Sequence, residues 1–199
     1  LYKMFGIDAE LLIDHAWGYE TCRMSDIKNY HSEEHSLSNG QVLMRNYSFD
    51  EALVIVREMT DNLVLDLFEK GLVTSSLTLW IAYDHRYEHE ASKGTVKLER
   101  ESNSSKKIID AVEDLYLRIA DRYTGIRRIE VCANRVAPES YVQYSLFDDP
   151  KQTDKERHLQ EAVLNVKQRY GKNAIMRGSN LLECSTYRER NEQVGGHRA

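Results

Sequence analysis

The stretch SSLTLWIAYD (Ser75–Asp84) decides the fold, because strongly apolar side chains alternate along it with others. Successive side chains of a β-strand point to opposite faces of the sheet. One face would carry Leu77, Leu79, Ile81 and Tyr83, and the other Thr78, Trp80 and Ala82. A strand with one strongly apolar face is typical of an antiparallel sheet that covers a core on one side and is open on the other.

Three further stretches share this period and predict the partners of the strand: HSLSNGQVLM (35–44), GTVKLERE (94–101) and IRRIEVCANRV (126–136). Apolar stripes with helical spacing separate them. One helix follows a Ser48–Glu51 capping box, and the other follows a cap at Ser102 or Asn103. The order β-α-β-β-α-β over about residues 36–136 predicts an α+β fold, with two helices on one face of a four-stranded sheet in a split βαβ arrangement.

The second face of this sheet is predicted to be open and polar. Its expected lining is Ser36, Ser38, Thr78, Trp80, Lys97 and Arg128. An aromatic ring among scattered cations is a plausible platform for nucleic acid, because phosphates receive a large share of protein contacts. Trp80 leaves two readings open: it stacks on a base or shields a sugar, or it packs against another segment such as the C-terminal helix.

Composition limits the classes of protein to consider. The net charge of −5 gives no overall attraction to nucleic acid, although it says little about one face of a molecule. Cys22, Cys132 and Cys184 are far apart and odd in number, which indicates reduced thiols. No apolar run approaches the roughly 18 residues of a membrane helix, and no signal peptide is visible, so we expect a cytoplasmic protein without a membrane partner.

No stretch offers a catalytic centre, because the sequence lacks a Gly-rich phosphate loop, a nucleophile elbow and a Cys-x-x-Cys pair. His85 and His89 have a metal-like spacing but lie in a predicted turn, where a solvated charged loop is favoured. Arg127 and Arg128 leave two readings open: contacts to phosphates, or solvated charges with a partner such as Glu130. Strand alternation places only Arg128 on the open face.

The flanks of the sheet region predict further helices. LYKMFGIDAELLIDHAWGYE (1–20) is typical of two short helices, and residues 21–35 of a polar linker. A capping box at Thr153 and Glu156 predicts a helix to about Tyr170. Docking on the rest of the chain, contact with a partner and self-association all remain open for this helix. The chain opens inside a helical pattern without an initiator Met, so we expect a piece of a longer protein.

The pentapeptide Gln143-Tyr144-Ser145-Leu146-Phe147 places two large apolar side chains together, outside any predicted element and directly before two acids and a proline. Such a peptide can bind by burying adjacent apolar side chains in a partner's pocket, with an amide hydrogen-bonded at the rim. The competing reading is a loop that folds back onto its own core. The pentapeptide alone leaves the two readings even, because five-residue motifs recur by chance.

Taken in order, these stretches resemble the C-terminal part of Y-family translesion DNA polymerases, in the UmuC-like (ImpB/MucB/SamB) branch of Gram-positive bacteria. LYKMFGIDAELLIDHAWGYE resembles the end of their thumb domain, and QYSLF resembles their clamp-binding tail. SLSNGQVL, the β-α-β-β-α-β unit and GIRRIEV resemble their little-finger domain. The implied division is a thumb end at 1–20, a linker at 21–35, a little finger at 36–137, a clamp-binding segment at 138–152 and a partly helical extension at 153–199.

The resemblance implies a DNA-binding and sliding-clamp-binding part of an error-prone polymerase, acting in DNA repair and the SOS response. The little finger would grip the backbone of primer–template DNA, here through Ser36, Ser38, Asn39, Gln41, Lys97, Arg127 and Arg128. Gln143, Tyr144, Ser145, Leu146 and Phe147 would bind the bacterial sliding clamp. The carboxylates that hold catalytic Mg would lie in a palm domain before Leu1, so no catalytic residue, metal site or cofactor is expected in this chain.

A stand-alone ferredoxin-like module for protein interaction or dimerisation is the alternative function, with the open sheet as its contact surface. DNA binding that weakens steeply with salt favours the polymerase interpretation. A stable dimer that buries Trp80 favours the alternative.

Overall fold

The computed structural model describes residues 1–29, 35–86, 89–140, 149–194 and 197–198. The chain divides into two units, Leu1–Glu34 and His35–Ala199. The boundary between the units lies one residue before the predicted start of the sheet domain at Ser36.

The first unit consists of three short helices, α1 (Tyr2–Phe5), α2 (Asp8–Ala16) and α3 (Met24–Asn29). Helix α3 lies inside the segment predicted as a linker. Ala9 is the one buried apolar residue among the described residues of this unit, and the larger apolar side chains are exposed: Leu1, Tyr2, Met4, Phe5, Ile7, Leu11, Leu12, Trp17, Tyr19, Met24 and Ile27. These helices therefore present an apolar surface instead of enclosing a core.

The second unit is built on an antiparallel sheet. Its strands are β1 (Ser36–Tyr47), β2 (Leu72–Tyr83), β3 (Ser92–Ser102) and β4 (Ile126–Asn134), in the order β1-β4-β2-β3. A two-residue strand, β5 (Ala137–Pro138), pairs with the start of β2. Because β4 lies between β1 and β2 and is antiparallel to both, β1 and β2 run in the same direction with a strand between them. The predicted split βαβ arrangement is confirmed.

Two helices, α4 (Phe49–Glu69) and α5 (Ser105–Ile119), cover the apolar face of the sheet, as predicted. The strand residues Leu43, Leu77, Leu79, Ile81, Ile129 and Val131 are fully buried against them. The helices contribute Ile55, Met59, Leu63, Ile108, Val112 and Leu115. The alternation in SSLTLWIAYD thus separates a core face from a polar face.

The predicted capping box at the start of α4 is confirmed. Ser48 Oγ accepts a hydrogen bond from the backbone N of Glu51, and the Glu51 carboxylate accepts one from the backbone N of Ser48. Arg45 is the largest cause that lowers the pKa of Glu51 to about 2, followed by the Ser48 backbone N–H. The carboxylate therefore stays charged and keeps its place at the positive end of the helix.

Replacing Ser48 by alanine is expected to lower the free energy of unfolding by about 1 kcal/mol, because the first turn of α4 loses a side-chain acceptor. Urea unfolding of the variant and the wild-type chain measures this. Ser36→Ala, on an exposed strand position, is the control and should change stability by less than about 0.5 kcal/mol. Equal losses in the two variants would show that the cap contributes nothing.

The C-terminal segment comprises α6 (Pro150–Tyr170), a 3₁₀ helix (Gly178–Leu181), α7 (Tyr187–Asn191) and a short hairpin, β6 (Gln193–Val194) with β7 (His197–Arg198). The predicted Thr153–Glu156 capping box is wrong. Helix α6 starts at Pro150, and the side chain of Asp149 caps it by accepting from the backbone N of Lys151. The Glu156 carboxylate is instead directed to the start of α5.

Helix α6 docks on the rest of its own unit, which is the first of the three roles left open for it. Glu156 Oε1 accepts hydrogen bonds from Ser104 Oγ and the backbone N of Lys106, both at 2.9 Å. The two terminal guanidinium nitrogens of Arg157 donate to the two carboxylate oxygens of Glu139, at 2.7 and 2.9 Å. Further contacts from this segment reach α4, so the segment packs on the helical side of the sheet.

Glu58 is a buried carboxyl where α4 meets the residues that precede α7. It accepts hydrogen bonds from Ser185 Oγ and from the backbone N of Thr186. Burial is the largest cause acting on the pKa of Glu58 and raises it, while these hydrogen bonds and the charge of Arg190 oppose the shift. The folded chain therefore holds the Glu58 proton more tightly than the unfolded chain does.

This shift predicts a pH-dependent stability. Glu58 favours folding below the ordinary glutamate pKa of about 4.3, and this contribution is lost as the pH rises through the raised folded pKa. Glu58→Gln removes the titration and keeps an acceptor oxygen. Relative to the wild-type chain, the variant should therefore gain stability in urea unfolding as the pH rises from about 4 to about 7. Glu161→Gln, at an exposed position of α6, is the control, and a stability difference at Glu58 that stays flat with pH would contradict the prediction.

Candidate nucleic-acid interface

The polar face of the sheet is defined by the strand registers. Three cross-strand rows of residues lie on it. The first contains Ser36 and Asn134, the second Ser38, Cys132, Thr78 and Thr95, and the third Gly40, Glu130, Trp80 and Lys93. Lys97 and Arg128 complete the face. The side chains that it takes from the two edge strands are exposed, namely those of Ser36, Ser38, Lys93, Thr95 and Lys97. The face is therefore accessible over its full width.

Side-chain hydrogen bonds join the strands across the middle of this face. Thr95 Oγ1 and Thr78 Oγ1 lie 2.9 Å apart, and Asn134 Nδ2 donates to Thr78 Oγ1, also at 2.9 Å. Cys132 Sγ donates to Asn134 Oδ1 at 3.3 Å. Burial, followed by the charge of Glu130, raises the pKa of the Cys132 thiol, which keeps it protonated as a donor. These four side chains form a fixed, uncharged floor, with the charged Arg128 and Glu130 beside it on β4.

Cations surround this floor. Lys93 and Lys97 are exposed on β3, and within the described part of the chain neither forms an ion pair. Arg128 lies on β4, with its Cζ 5.1 Å from the centroid of the Trp80 ring and a guanidinium nitrogen 3.5 Å from Glu130 Oε2. Trp80 thus packs against Arg128 on the polar face, whereas the C-terminal helix lies on the other side. Flexible ammonium groups on one edge and a supported guanidinium at the centre suit a chain of phosphates.

A β-bulge at the start of β4 changes the predicted orientation of the arginine pair. Ala82 and Tyr83 are consecutive, but their partners on β4 are Arg128 and Ile126, so Arg127 is an extra residue. Ile126 and Ile129 are both fully buried. A bulge interrupts the simple alternation of a strand, and here it keeps both arginines out of the core.

Asn39 and Gln41 are not brought to the polar face. Asn39 Nδ2 donates to the carbonyl of Met59 on α4, at 3.4 Å. Gln41 Oε1 accepts from Thr186 Oγ1 at 3.1 Å and from Arg190 at 3.4 Å. Both side chains belong to the helical side of β1, where α4 contacts Asn39 and the C-terminal segment contacts Gln41. Of the predicted DNA-contacting residues, the structure groups Ser36, Ser38, Lys97 and Arg128 on one face.

Lys93 is a cation of this face that the sequence interpretation missed. The strand was expected to start at Gly94, whereas β3 starts at Ser92. The signal was present, because the outward residues Lys93, Thr95 and Lys97 share one period of two.

The pentapeptide Gln143–Phe147 lies outside the described residues. The described residues on either side are anchored. The backbone N of Glu139 donates to the Gly71 carbonyl at 2.8 Å, and its carboxylate holds Arg157. Asp149 caps α6. The described residues on both sides of the pentapeptide therefore belong to the second unit.

Within the described ranges, the His, Cys, Asp and Glu side chains form no group of three or more that could hold a metal ion. None of the described helices combines the length and apolar character needed to cross a membrane.

Sequence comparison places the sheet within a known family. The impB/mucB/samB family C-terminal domain matches residues 34–146, more than half of the chain. The protein called DNA polymerase IV 2 from Bacillus subtilis is 24% identical over 201 residues, covering 99% of this chain and 47% of that protein. Its namesake from Halalkalibacterium halodurans is 21% identical over 168 residues, covering 84% and 40%. The chain thus spans about half the length of these curated relatives, or less.

Solved structures with a related arrangement include a complex of the beta-clamp processivity factor with the little finger domain of PolIV. It matches with a TM-score of 0.41 and 12% identity, covering 57% of this chain and 100% of that chain. A Y-family DNA polymerase chimera of Dbh and Dpo4 matches with a TM-score of 0.39 and 16% identity, covering 69% and 38%.

Proposed function

Since the chain belongs to the impB/mucB/samB family through its C-terminal domain, we propose that it is the non-catalytic, DNA-gripping part of a Y-family translesion DNA polymerase. Its polar sheet face binds the phosphate backbone of primer–template DNA. Because contacts to phosphates carry no sequence information, binding through them would depend little on sequence. Such a grip suits an enzyme that must copy damaged templates.

The observation that carries this proposal is the separation of charge on a chain with a net charge of −5. Lys93, Lys97 and Arg128 lie on the polar face, as does the Glu130 carboxylate. The surface on the helical side of the sheet is instead packed and rich in ion pairs within the chain. A local cluster of cations attracts DNA even when the whole molecule is acidic.

We assign the polymerase activity to a longer protein, of which this chain would be the C-terminal part. The named relatives are DNA polymerases of roughly twice the length. In the longer protein, a palm domain ahead of Leu1 would supply the carboxylates that hold Mg. This polymerase would act in the cytoplasm and serve DNA repair in the SOS response. The exposed apolar helices of residues 1–29 support their assignment to the end of a thumb domain, because such a surface favours contact with another domain.

We further assign Gln143, Tyr144, Ser145, Leu146 and Phe147 to binding of the bacterial sliding clamp. The segment lies between two anchored residues, Glu139 and Asp149. A clamp bound there would be tethered directly to the DNA-gripping unit. Tethering raises the effective concentration of a weakly held polymerase at the primer end, so modest affinity for DNA is sufficient.

Binding of the chain to a fluorescent primer–template, measured by anisotropy over a salt series, tests the DNA-gripping function. The dissociation constant should rise steeply between about 50 and 200 mM salt, with a log–log slope close to the number of phosphates contacted. A control titration with a scrambled duplex of equal length should give the same curve. Absent binding at low salt, or a stable dimer that buries Trp80, would favour the protein-interaction alternative.

A further inference from the structure

One end of the sheet carries a second group of cations that the polar face does not include. Ile126, the first residue of β4, pairs with both Tyr47 and Tyr83, so three strands meet there. Beyond this point, the backbone N of Asp84 donates to the Gly125 carbonyl at 2.9 Å, and Asn46 donates to the Asp84 carboxylate. The loops that follow or precede these strands therefore lie side by side.

Four arginines belong to this end and are called the arginine rim: Arg45, Arg86, Arg122 and Arg127. Arg45 stacks on Tyr47, with 4.2 Å from its Cζ to the ring centroid, and pairs with Glu51. Arg86 pairs with Asp84. Arg122 stacks on the Phe49 ring at 4.6 Å. Neighbouring side chains thus hold three of these four guanidinium groups at the surface.

In two ion pairs of the rim, the arginine side chain is more exposed than its carboxylate partner. The Arg86 side chain is 67% exposed while that of its partner Asp84 is 3% exposed. Arg45 is 51% exposed and Glu51 33%. Arg86 is the largest cause that holds the pKa of Asp84 far below its usual range, ahead of Asn46. In both pairs the guanidinium group is therefore more accessible to a ligand than the carboxylate.

Tyr123 lies in the loop before β4, next to Arg122 in the chain. It is 96% exposed, yet the loop that carries it is fixed at both ends. The backbone N of Asp121 donates to the Tyr83 hydroxyl at 2.8 Å, and Asp121 Oδ1 accepts from the backbone N of Tyr123 at 3.1 Å. Gly125 is held by Asp84. A rigid backbone thus displays a fully solvated aromatic ring among arginines, which suits an unpaired base and its phosphates.

We infer that Tyr123 and the arginine rim bind an unpaired nucleotide next to the duplex gripped by the polar face. The phenol ring stacks on the exposed base, and the guanidinium groups contact the flanking phosphates. This inference rests on the proposed DNA-gripping function and adds a preference for duplex DNA that carries a single-stranded extension. Stacking is tolerant of base identity, because every base has a π-face.

The test compares two fluorescent DNAs, a blunt duplex and the same duplex with a single-stranded extension at one end, bound to the full chain. The wild type should bind the extended DNA at least about tenfold more tightly. Tyr123→Ala should weaken binding of the extended DNA about tenfold and leave the blunt duplex unchanged, whereas Tyr123→Phe keeps the stacking ring and the preference. The matched control is Tyr170→Ala, because Tyr170 is also exposed but lies on α6. 2-Aminopurine in the extension should lose fluorescence on binding to the wild type and keep it with Tyr123→Ala.

Two results would overturn the inference while leaving the proposed function intact: equal affinity of the wild type for both DNAs, or unchanged binding by Tyr123→Ala. Failure of the wild type to bind the blunt duplex would instead refute the proposed function, and this inference with it. Because Tyr123 is almost fully solvated, the alanine variant should retain the wild-type melting temperature, which confirms that a loss of binding is not a loss of fold.

Discussion

Replacing Lys97 and Arg128 together by glutamate is expected to weaken binding to primer–template DNA about a hundredfold near 0.1 M salt. Each substitution removes a cation from the polar face and adds a repulsive carboxylate. The log–log dependence of affinity on salt should flatten by about 2, since each lost phosphate contact removes close to one unit of slope. Anisotropy titrations at several salt concentrations give both quantities.

The matched control is the double variant Lys155→Glu/Arg169→Glu. Both residues are exposed on α6, on the helical side of the sheet. The control changes the net charge by the same amount, from −5 to −9, since each reversal adds two negative charges. If the control loses as much affinity as Lys97→Glu/Arg128→Glu, binding depends on overall charge and the polar face has no special role.

The second large effect is expected at the pentapeptide. Leu146→Ala/Phe147→Ala should reduce affinity for the purified bacterial sliding clamp at least about a hundredfold, because adjacent apolar anchors supply most of the binding energy of short peptide motifs. Surface plasmon resonance with immobilised clamp measures this, and the wild-type chain should bind in the micromolar range. Binding of the mutant at wild-type strength would exclude a clamp-binding role for the two residues.

A flanking double variant, Tyr141→Ala/Val142→Ala, is the control, since it removes comparable apolar area from the same segment outside the pentapeptide. It should keep clamp binding. Thermal melting of both variants separates clamp binding from packing: if Leu146 and Phe147 serve the protein's own core, their removal lowers the melting temperature and leaves clamp binding unchanged.

The sheet could be predicted because its strands alternate strictly. Leu77, Leu79 and Ile81 identify the apolar face of a strand. The apolar stripes with helical spacing between the strands identify the helices that cover this face. The Ser48–Glu51 capping box could also be predicted, because its two residues lie three apart in the chain and the capping contacts involve only these two residues. Thr153 and Glu156 have the same spacing, but Glu156 is recruited by the N-terminus of α5. Spacing alone does not reveal such a tertiary competitor.

The candidate site was predicted less completely, for two physical reasons. Asn39 and Gln41 are polar, and polarity suggested exposure, but they alternate with Ser36 and Ser38 and so point to the helical side. A carbonyl of α4 accepts from Asn39, and the C-terminal segment contacts Gln41, which no local pattern indicates. Arg127 was expected to alternate with Arg128, but a bulge made by pairing with two strands at once keeps both out of the core. Register is a property of the assembled sheet.

The most direct test of the central claim is a map of amide chemical shifts in the labelled 199-residue chain as primer–template DNA is added. We predict that the largest changes fall on the strands of the polar face, at Ser38, Lys93, Lys97 and Arg128, and diminish as salt is raised. Changes confined to α4, α5 and α6, with the polar face unaffected, would contradict the account.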